Sequence, residues 1–405
     1  MMSKLPAADT NSSQRWHSAY PLVAPLGLIV IGASAFNILP LLAQGAAHTL
    51  GFSGRQIGVM SFALSLGAGA SALFAGLWVR SVPWPRAARV ALGGMLACNA
   101  LALLAQSYGV FVLVQGLAGF FGGSVLSLAG TVLSDRPEAA RSFGIANAMQ
   151  AAYQVTALLA GPALLQWAGL DGVLIMLATL SGLGMLLAAR LPVKGRPVAS
   201  THVSRALLKP ATLLGIAGIA VYFVNAGAYW TYIGLIGQAH GLTSRVVANG
   251  IAAGVSAGIV GGLLAWGLGD RWGRLWPLSL AAGLTGGAAL LLQSSFSAGT
   301  FVLSALMYFL AWNYSLAYQM TLISQVDATG RGVAISGAFG YLGQAAGAAV
   351  AALWVTPEDY RAVNWVVVAA VCVSTLLFAL SSRVHRNAAS KALKDCLPST
   401  SSLTG

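Results

Sequence analysis

Long apolar stretches alternate along the chain with short polar gaps, a pattern typical of a protein that crosses a membrane many times. A helix needs about 20 apolar residues to cross the hydrocarbon core of a bilayer. Twelve stretches approach this length, and each is predicted to be a membrane-spanning helix. The first half contains Pro21–Ala43, Ile57–Val79, Val90–Gln106, Val110–Leu133, Phe143–Leu165 and Val173–Ala189. The second half contains Ala211–Ile236, Val246–Leu268, Leu275–Leu292, Phe301–Ile323, Val333–Val355 and Val363–Leu380.

The two halves repeat each other at an interval of about 190 residues. Gly51-Phe-Ser-Gly-Arg55 before the second stretch matches Gly241-Leu-Thr-Ser-Arg245 before the eighth. Repeated bundles of this kind are common in transport proteins. We predict an all-α polytopic membrane protein with 12 transmembrane helices in two pseudo-symmetric six-helix bundles. The predicted segments are a tail at 1–19, a bundle at 20–191, a linker at 192–210, a bundle at 211–382 and a tail at 383–405.

Charged residues give the predicted orientation. Nineteen of the 22 Lys and Arg lie in the two tails and the even-numbered gaps, while Arg55, Arg245 and Arg361 lie in odd-numbered gaps. Lys and Arg beside short loops stay cytoplasmic, so both termini are expected to face the cytoplasm. The net charge of +13 is therefore read as orientation in the membrane, because the basic residues are spread over many segments instead of forming a nucleic-acid-binding face.

A loop between the eighth and ninth stretches carries the most specific motif. Gly267-Leu-Gly-Asp-Arg-Trp-Gly-Arg274 resembles the G-x-x-x-D-R-x-G-R loop of the major facilitator superfamily, a family of two-by-six-helix transporters. In that family the loop latches the cytoplasmic ends of the two bundles. The resemblance implies a latch role for the loop residues Gly267, Asp270, Arg271, Gly273 and Arg274. The alternative is that the arginines only set the topology.

The corresponding loop in the first half departs from the family pattern, because Val79 stands where the family has Asp. Latching from this side is therefore left open. Two acid–base pairs at the turns after the fourth and tenth stretches could supply the missing interaction: Asp135 with Arg141, and Asp327 with Arg331. The alternative is that they form exposed ion pairs, which contribute about 0–1 kcal/mol each.

A Gly161-Pro162 pair in the fifth stretch partly matches the antiporter signature of the same family. A Gly-Pro pair kinks a helix and lets a neighbouring helix pack closely. The flanking glycines of the signature are replaced here, for instance by Ala157 and Leu165. The partial match favours export.

Polar and aromatic residues inside the stretches recur at helical spacing, which places them on single helix faces. In the family, the first, fourth, seventh and tenth spans line a central cavity, and the resemblance implies seven substrate-binding candidates: Asn37, Gln44, Gln115, Asn225, Tyr229, Trp312 and Gln319. For each amide, a hydrogen bond between helices is the alternative. Four tryptophans near stretch ends are expected in the membrane interface instead: Trp84, Trp276, Trp354 and Trp365.

No acidic or basic residue lies in the middle of a predicted span, so the cavity suits a neutral or amphipathic aromatic solute, or an organic cation held by ring faces. The expected function is alternating-access transport of such a molecule across the inner membrane, with export favoured. The alternatives are an uptake permease for a sugar or aromatic metabolite, and a non-transporting receptor. An enzyme is not expected, because the sequence offers no nucleophile with a base and no metal-ligand cluster around His48 or His240. No cofactor or metal is expected; the expected partners are the substrate and membrane lipid, with the monomer functional.

Overall fold

A computed structural model describes residues 22–105, 107–136, 138–193, 209–269, 271–293, 296–327, 331–356 and 359–396. Side chains are described for these residues except at 140, 331, 333, 334, 389 and 391–396. The predicted tail at 1–19 and most of the predicted linker at 192–210 lie outside the described residues. The described part of the chain is helical, without a strand.

The helices follow the predicted stretches closely. In the first half they are α1 (Val23–Gly32), α2 (Ser34–Asn37), α3 (Leu39–Leu50), α4 (Gly54–Trp78), α5 (Trp84–Leu103), α6 (Tyr108–Ser134) and α7 (Ala139–Ala188). In the second half they are α8 (Pro210–Ala239), α9 (Ser244–Leu268), α10 (Leu275–Leu291), α11 (Ala298–Val326), α12 (Arg331–Ala352) and α13 (Arg361–Cys396). By length and composition, 7 of the described helices are long and apolar enough to cross a membrane, and α1 and α10 are shorter apolar helices.

The first predicted span is broken in two places. Ala33 separates α1 from α2, and Ile38, with φ −118° and ψ 19°, separates α2 from α3. Pro40 lies in the first turn of α3, and a proline lacks the N–H that would continue the preceding helix. The candidate residue Asn37 therefore lies at the second break.

The third span begins six residues before the predicted start at Val90. Pro83 caps α5 and Pro85 lies in its first turn, a position where proline is tolerated because the first N–H groups of a helix have no partner within it. Hydropathy alone misses these six residues, since Arg86 and Arg89 lie among them. Their long side chains can reach the interface while the helix stays embedded.

The fifth and sixth predicted spans lie in one helical run, α7, which Gly169 divides. This residue has φ 57° and ψ −150°, a conformation that is essentially restricted to glycine. Thr49, in the last turn of α3, accepts a hydrogen bond from the backbone N–H of Leu170 at 3.1 Å. The break in α7 is thus fixed by a side chain from the first span.

The chain divides into two compact units, residues 1–199 (unit 1) and 200–405 (unit 2). Local structure repeats at the interval seen in the sequence. Gly51 and Gly241 have φ of 68° and 81°, and two residues later the side chains of Ser53 and Thr243 cap α4 and α9. In unit 1, α4 packs on α6, and in unit 2 the corresponding helices α9 and α11 pack on each other.

Trp84 is not an interfacial residue, contrary to the expectation from its position at a span end. Its side chain is fully buried in unit 1, where it packs with Ala88 and Leu92, and its indole N–H donates a 2.7 Å hydrogen bond to the carbonyl of Val79. Its backbone N–H bonds the carbonyl of Val193 at 2.9 Å. The other three tryptophans of this group are all more than half exposed: Trp276, Trp354 and Trp365.

Candidate functional site

Polar and aromatic side chains of unit 2 meet where α8 faces α11, a region that we call the α8–α11 seam. It consists of Tyr222, Asn225 and Tyr229 on α8, and of Ser304, Tyr308, Trp312, Ser315 and Gln319 on α11. The α11 members recur every three or four residues and so form one stripe along the helix. All four second-half candidates lie in this seam: Asn225, Tyr229, Trp312 and Gln319.

Asn225 joins the two helices by hydrogen bonds. The Tyr308 hydroxyl donates to Asn225 Oδ1 at 2.7 Å, and Asn225 Nδ2 donates to the backbone carbonyl of Tyr222. Both Asn225 and Tyr308 are buried. Because both atoms of the amide are bonded within unit 2, Asn225 acts as the interhelical hydrogen bond that the sequence left open as an alternative.

Tyr229 packs face to face on Tyr308, with ring centroids 3.7 Å apart and planes within 5° of parallel. Its hydroxyl lies 2.9 Å from Ser304 Oγ, and Ser304 donates to the Ala288 carbonyl of α10 at 2.7 Å. Ser304 is absent from the predicted candidates. The sequence nevertheless indicates Ser304, because this residue lies one helical turn before Tyr308 and so belongs to the same stripe of α11.

Trp312 continues the aromatic contacts. Its ring stacks on Tyr222 at 5.3 Å and 24°, and it meets Phe223 edge to face at 4.9 Å. It also lies nearly parallel to Tyr308, at 6.4 Å and 11°. Tyr229, Tyr308, Trp312 and Tyr222 thus form an aromatic column in which Trp312 is the half-buried member.

Gln319 lies one helical turn beyond Ser315 and is fully buried. Its Nε2 donates to Ser315 Oγ at 3.3 Å, and Ser315 Oγ lies 2.6 Å from the Tyr222 hydroxyl. Gln319 Oε1 is buried and has no hydrogen-bond partner within the described part of the chain. The amide nitrogen of Gln319 is therefore held by Ser315, and its oxygen can accept a hydrogen bond from a ligand.

Of the first-half candidates in unit 1, Gln44 and Gln115 are buried and Asn37 is partly buried. Gln115 on α6 is 1% exposed, and neither its Nε2 nor its Oε1 has a hydrogen-bond partner among the described residues. Asn37 Nδ2, at the break after α2, is likewise unbonded there, so no hydrogen bond joins it to Gln115. Gln44 is buried on α3. Three buried serine hydroxyls also have no hydrogen-bond partner among the described residues: Ser34, Ser61 and Ser65.

An ion pair fixes the loop after α4 to the end of α6. Arg80 contacts Asp135 through both terminal guanidinium nitrogens, at 2.8 Å and 3.2 Å, and the Asp135 side chain is buried. Two-pronged pairs of this kind are stronger and better oriented than single contacts. Arg141, which the sequence suggested as the partner of Asp135, pairs with Glu138 at 3.2 Å in an exposed contact. Arg80 was not among the predicted partners of Asp135, although it occupies the Arg position of the loop motif.

The corresponding loop of unit 2 turns at two glycines. Gly269 and Gly273 have φ of 52° and 66°, which favours glycine over any other residue. The Tyr318 hydroxyl on α11 donates to the Gly269 carbonyl at 2.9 Å. Gly267 lies in the last turn of α9, just before this loop. Arg271 is exposed, and Arg274 directly precedes α10. Asp270 lies outside the described residues.

The carboxylate of Asp327 lies at the start of α12. It accepts a 2.6 Å hydrogen bond from the backbone N–H of Gly332 and is buried. An acid at this position satisfies an otherwise unpaired helical N–H and interacts favourably with the helix dipole. The side chain of Arg331 lies outside the described residues, so its pairing with Asp327 stays a prediction.

Gly161 and Pro162 lie inside α7. A methyl group placed at Gly161 would come within 2.5 Å of the Leu41 side chain on α3, so the glycine permits close packing of these helices. Pro162 removes one backbone hydrogen bond from the middle of the same helix.

The comparisons with known proteins agree with this architecture. A family model described as Major Facilitator Superfamily matches residues 26–326. Three solved structures are similar over nearly the whole chain. A bacterial homologue of the human lysosomal transporter Spinster, inward-facing and unoccupied, has 14% identity and a TM-score of 0.68, covering 94% of this chain and 99% of that one. The nucleoside transporter NupG has 15% identity and a TM-score of 0.68, with coverage of 90% and 98%.

The third is a bacterial homologue of the iron transporter ferroportin, inward-facing, with 13% identity, a TM-score of 0.66 and coverage of 93% and 100%. At these identities the likeness concerns the fold. A search of curated protein sequences gave no match.

Proposed function

The chain belongs to the Major Facilitator Superfamily, and from this premise we propose that it carries a small neutral or amphipathic aromatic molecule across the inner membrane by alternating access. The chain is a multi-pass membrane transporter and not an enzyme. Our proposal adds the chemistry of the solute, the direction of transport and the residues that take part.

The aromatic column of the α8–α11 seam carries the proposal about the solute. Four stacked rings, with the amide of Gln319 at one end, provide flat apolar surfaces and few hydrogen-bonding atoms. Such a mixture suits a small aromatic molecule. No acidic residue occurs within α8 or α11, and a strongly ionic solute would need a buried counter-charge.

We propose direct contact with the solute for the candidates that keep unused hydrogen-bonding atoms or exposed ring surface: Asn37, Gln115, Trp312 and Gln319. Gln44 remains a candidate for contact with the solute because it belongs to the first span, which lines the central cavity in the family. Asn225 and Tyr229 act in the seam mainly by holding Tyr308 in place, because their polar atoms are already bonded. Polar atoms without a partner are costly in a membrane unless a ligand or water satisfies them.

Export is the proposed direction. Its support is the Gly161-Pro162 pair, which lies where the family's antiporter signature lies and permits close packing of α7 on α3. The asymmetry of Lys and Arg supports cytoplasmic termini. The protein is proposed to function as a monomer.

The proposed conformational latch comprises the loop from Gly267 to Arg274 in unit 2 and the ion pair Arg80–Asp135 in unit 1. The structure anchors each loop to the end of a neighbouring helix, through Tyr318 in one unit and Asp135 in the other. Asp327 and Arg331 are proposed to belong to the same latch. Arg141 is proposed to contribute less to it, because its pair with Glu138 is exposed.

A ligand screen tests the proposed solute class. The purified protein is heated in the presence of neutral aromatics, organic cations, sugars and carboxylates, because a compound that binds only the folded state raises the melting temperature. We expect stabilisation by neutral aromatics, reduced in Trp312→Ala and retained in the exposed control Trp354→Ala. Stabilisation by carboxylates or sugars alone would contradict the proposed solute class.

A further inference from the structure

Gln319 presents a buried acceptor that no described residue uses. The side chain is 0% exposed, and its Oε1 has no hydrogen-bond partner among the residues that the structure describes. A buried carbonyl oxygen without a donor costs stability, since in the unfolded chain it would bond water. A ligand that supplies a hydrogen-bond donor would satisfy this oxygen and remove that cost.

Ser315 fixes the direction in which this acceptor points. Its hydroxyl lies 2.6 Å from the Tyr222 hydroxyl and 2.9 Å from the Trp312 carbonyl, and it accepts from Gln319 Nε2 at 3.3 Å. A hydroxyl with three such neighbours is held in one place. The amide nitrogen of Gln319 is thereby held against Ser315, and its oxygen points away from Ser315.

Trp312 lies on the same stripe of α11 as Gln319, seven residues earlier. Seven residues correspond to a rise of about 10.5 Å along a helix. Trp312 is the half-buried ring of the aromatic column. A flat molecule of two fused rings with a polar substituent could therefore lie against Trp312 and reach Gln319 Oε1 with that substituent.

We propose that Gln319 Oε1 accepts a hydrogen bond from an O–H or N–H group of an aromatic substrate, and that Ser315 is a positioning residue for this bond. The carrier then prefers aromatic molecules with a donor to the same molecules without one. The inference rests on the proposed function, because Gln319 is inaccessible to solvent in the present conformation and alternating access must open the site.

Two probes with the same fused rings test the proposal: 2-naphthol, which carries an O–H donor, and its methyl ether 2-methoxynaphthalene, in which a methyl group replaces the hydroxyl hydrogen. Binding is measured by titration calorimetry on the full-length protein in lipid nanodiscs, with empty nanodiscs as the blank. We expect the wild type to bind 2-naphthol about tenfold more tightly than the ether, the size of one buried hydrogen bond. Gln319→Met, which removes the oxygen and keeps the length, is expected to bind both probes equally.

Variants at Ser315 separate positioning from a general structural role. Ser315→Ala is expected to reduce the preference for 2-naphthol, because the amide loses its anchor, and Ser315→Thr is expected to restore it. Thr321→Val is the matched control: it removes a hydroxyl that bonds the Ala317 carbonyl of the same helix, outside the stripe, and is expected to keep the full preference. If Gln319→Met does not fold, Gln319→Asn keeps an amide but withdraws the oxygen, and is expected to lower the preference.

Equal binding of the two probes by the wild type would overturn the role of Gln319 while leaving the aromatic site intact. So would a tenfold preference that survives in Gln319→Met, or in Gln319→Asn where that variant is used. If the folded wild type binds neither probe, the proposed function fails together with this inference.

Discussion

At the scale of single residues, the seam contains two kinds of buried polar side chain. Asn225 and Tyr308 use their polar atoms on each other and on the backbone, so they hold α8 against α11. Gln319 uses one amide atom and leaves the other unbonded within the described residues. Substitutions of the first kind should lower stability, and those of the second kind should lower binding.

Tyr308→Phe tests the first kind. The variant keeps the ring that stacks on Tyr229 but leaves Asn225 Oδ1 buried without its donor, so we expect the free energy of unfolding to fall by about 1–3 kcal/mol. Unfolding is followed by circular dichroism during titration with a denaturing detergent. Tyr314→Phe on the same helix is the control, because the Tyr314 hydroxyl has no hydrogen-bond partner in the described part of the chain. Equal stability of the two variants would contradict this assignment.

The spacing of residues on α11 predicted which of them share a face, since helical periodicity is a local property. It could not predict the hydrogen-bond partners. These depend on the relative height of α8 and α11 and on the rotamers of Tyr222 and Tyr308, which only the packed unit determines. For the same reason Asn225 and Gln319 looked equivalent in the sequence, although their amides are satisfied to different extents.

At the scale of helices, glycine and proline decide where the predicted spans break. The sequence predicted a helix at each apolar stretch, because length and apolar character are sufficient for that, and 7 of the described helices are long and apolar enough to cross a membrane. It misplaced the start of α5, but its division of α7 into two stretches agrees with the break at Gly169. Arg86 and Arg89 in the first two turns of α5 interrupted the apolar pattern, while the φ and ψ of Gly169 are a detail of the break that hydropathy does not report.

Gly169→Ala is expected to destabilise the protein. A side chain at φ 57° and ψ −150° costs on the order of 1–3 kcal/mol, so we expect a lower melting temperature. Gly182→Ala provides a matched control in the same helical run, since nothing lies within 4 Å of a methyl group there and alanine favours a helix. If Gly169→Ala has the same melting temperature as Gly182→Ala, the break tolerates a side chain.

At the scale of the whole molecule, the orientation follows from the distribution of Lys and Arg. Single cysteines are placed at Ser107 and Ser200 in a background without Cys98, Cys372 and Cys396. On intact cells, a thiol reagent that cannot cross the membrane is expected to label Ser107→Cys and not Ser200→Cys. The reverse labelling would overturn the proposed orientation.

The latch is expected to control the rate of exchange between conformations. Arg80→Lys replaces two hydrogen bonds to Asp135 with one, so we expect severalfold slower transport with unchanged ligand affinity, because the pair does not contact the solute. Glu138→Gln on the neighbouring turn is the control, since its contact with Arg141 is exposed. Wild-type turnover in Arg80→Lys would reduce the ion pair to a structural role.

The central claim is that this transporter carries an aromatic solute through a site that includes Trp312. The most direct test is counterflow in reconstituted vesicles, using a labelled neutral aromatic identified by the ligand screen. We expect saturable exchange by the wild type and by Trp354→Ala, and about fivefold slower exchange by Trp312→Ala, since stacking on an aromatic ring contributes about 1 kcal/mol. Exchange that is absent from the wild type, or equal in the two tryptophan variants, would contradict the account.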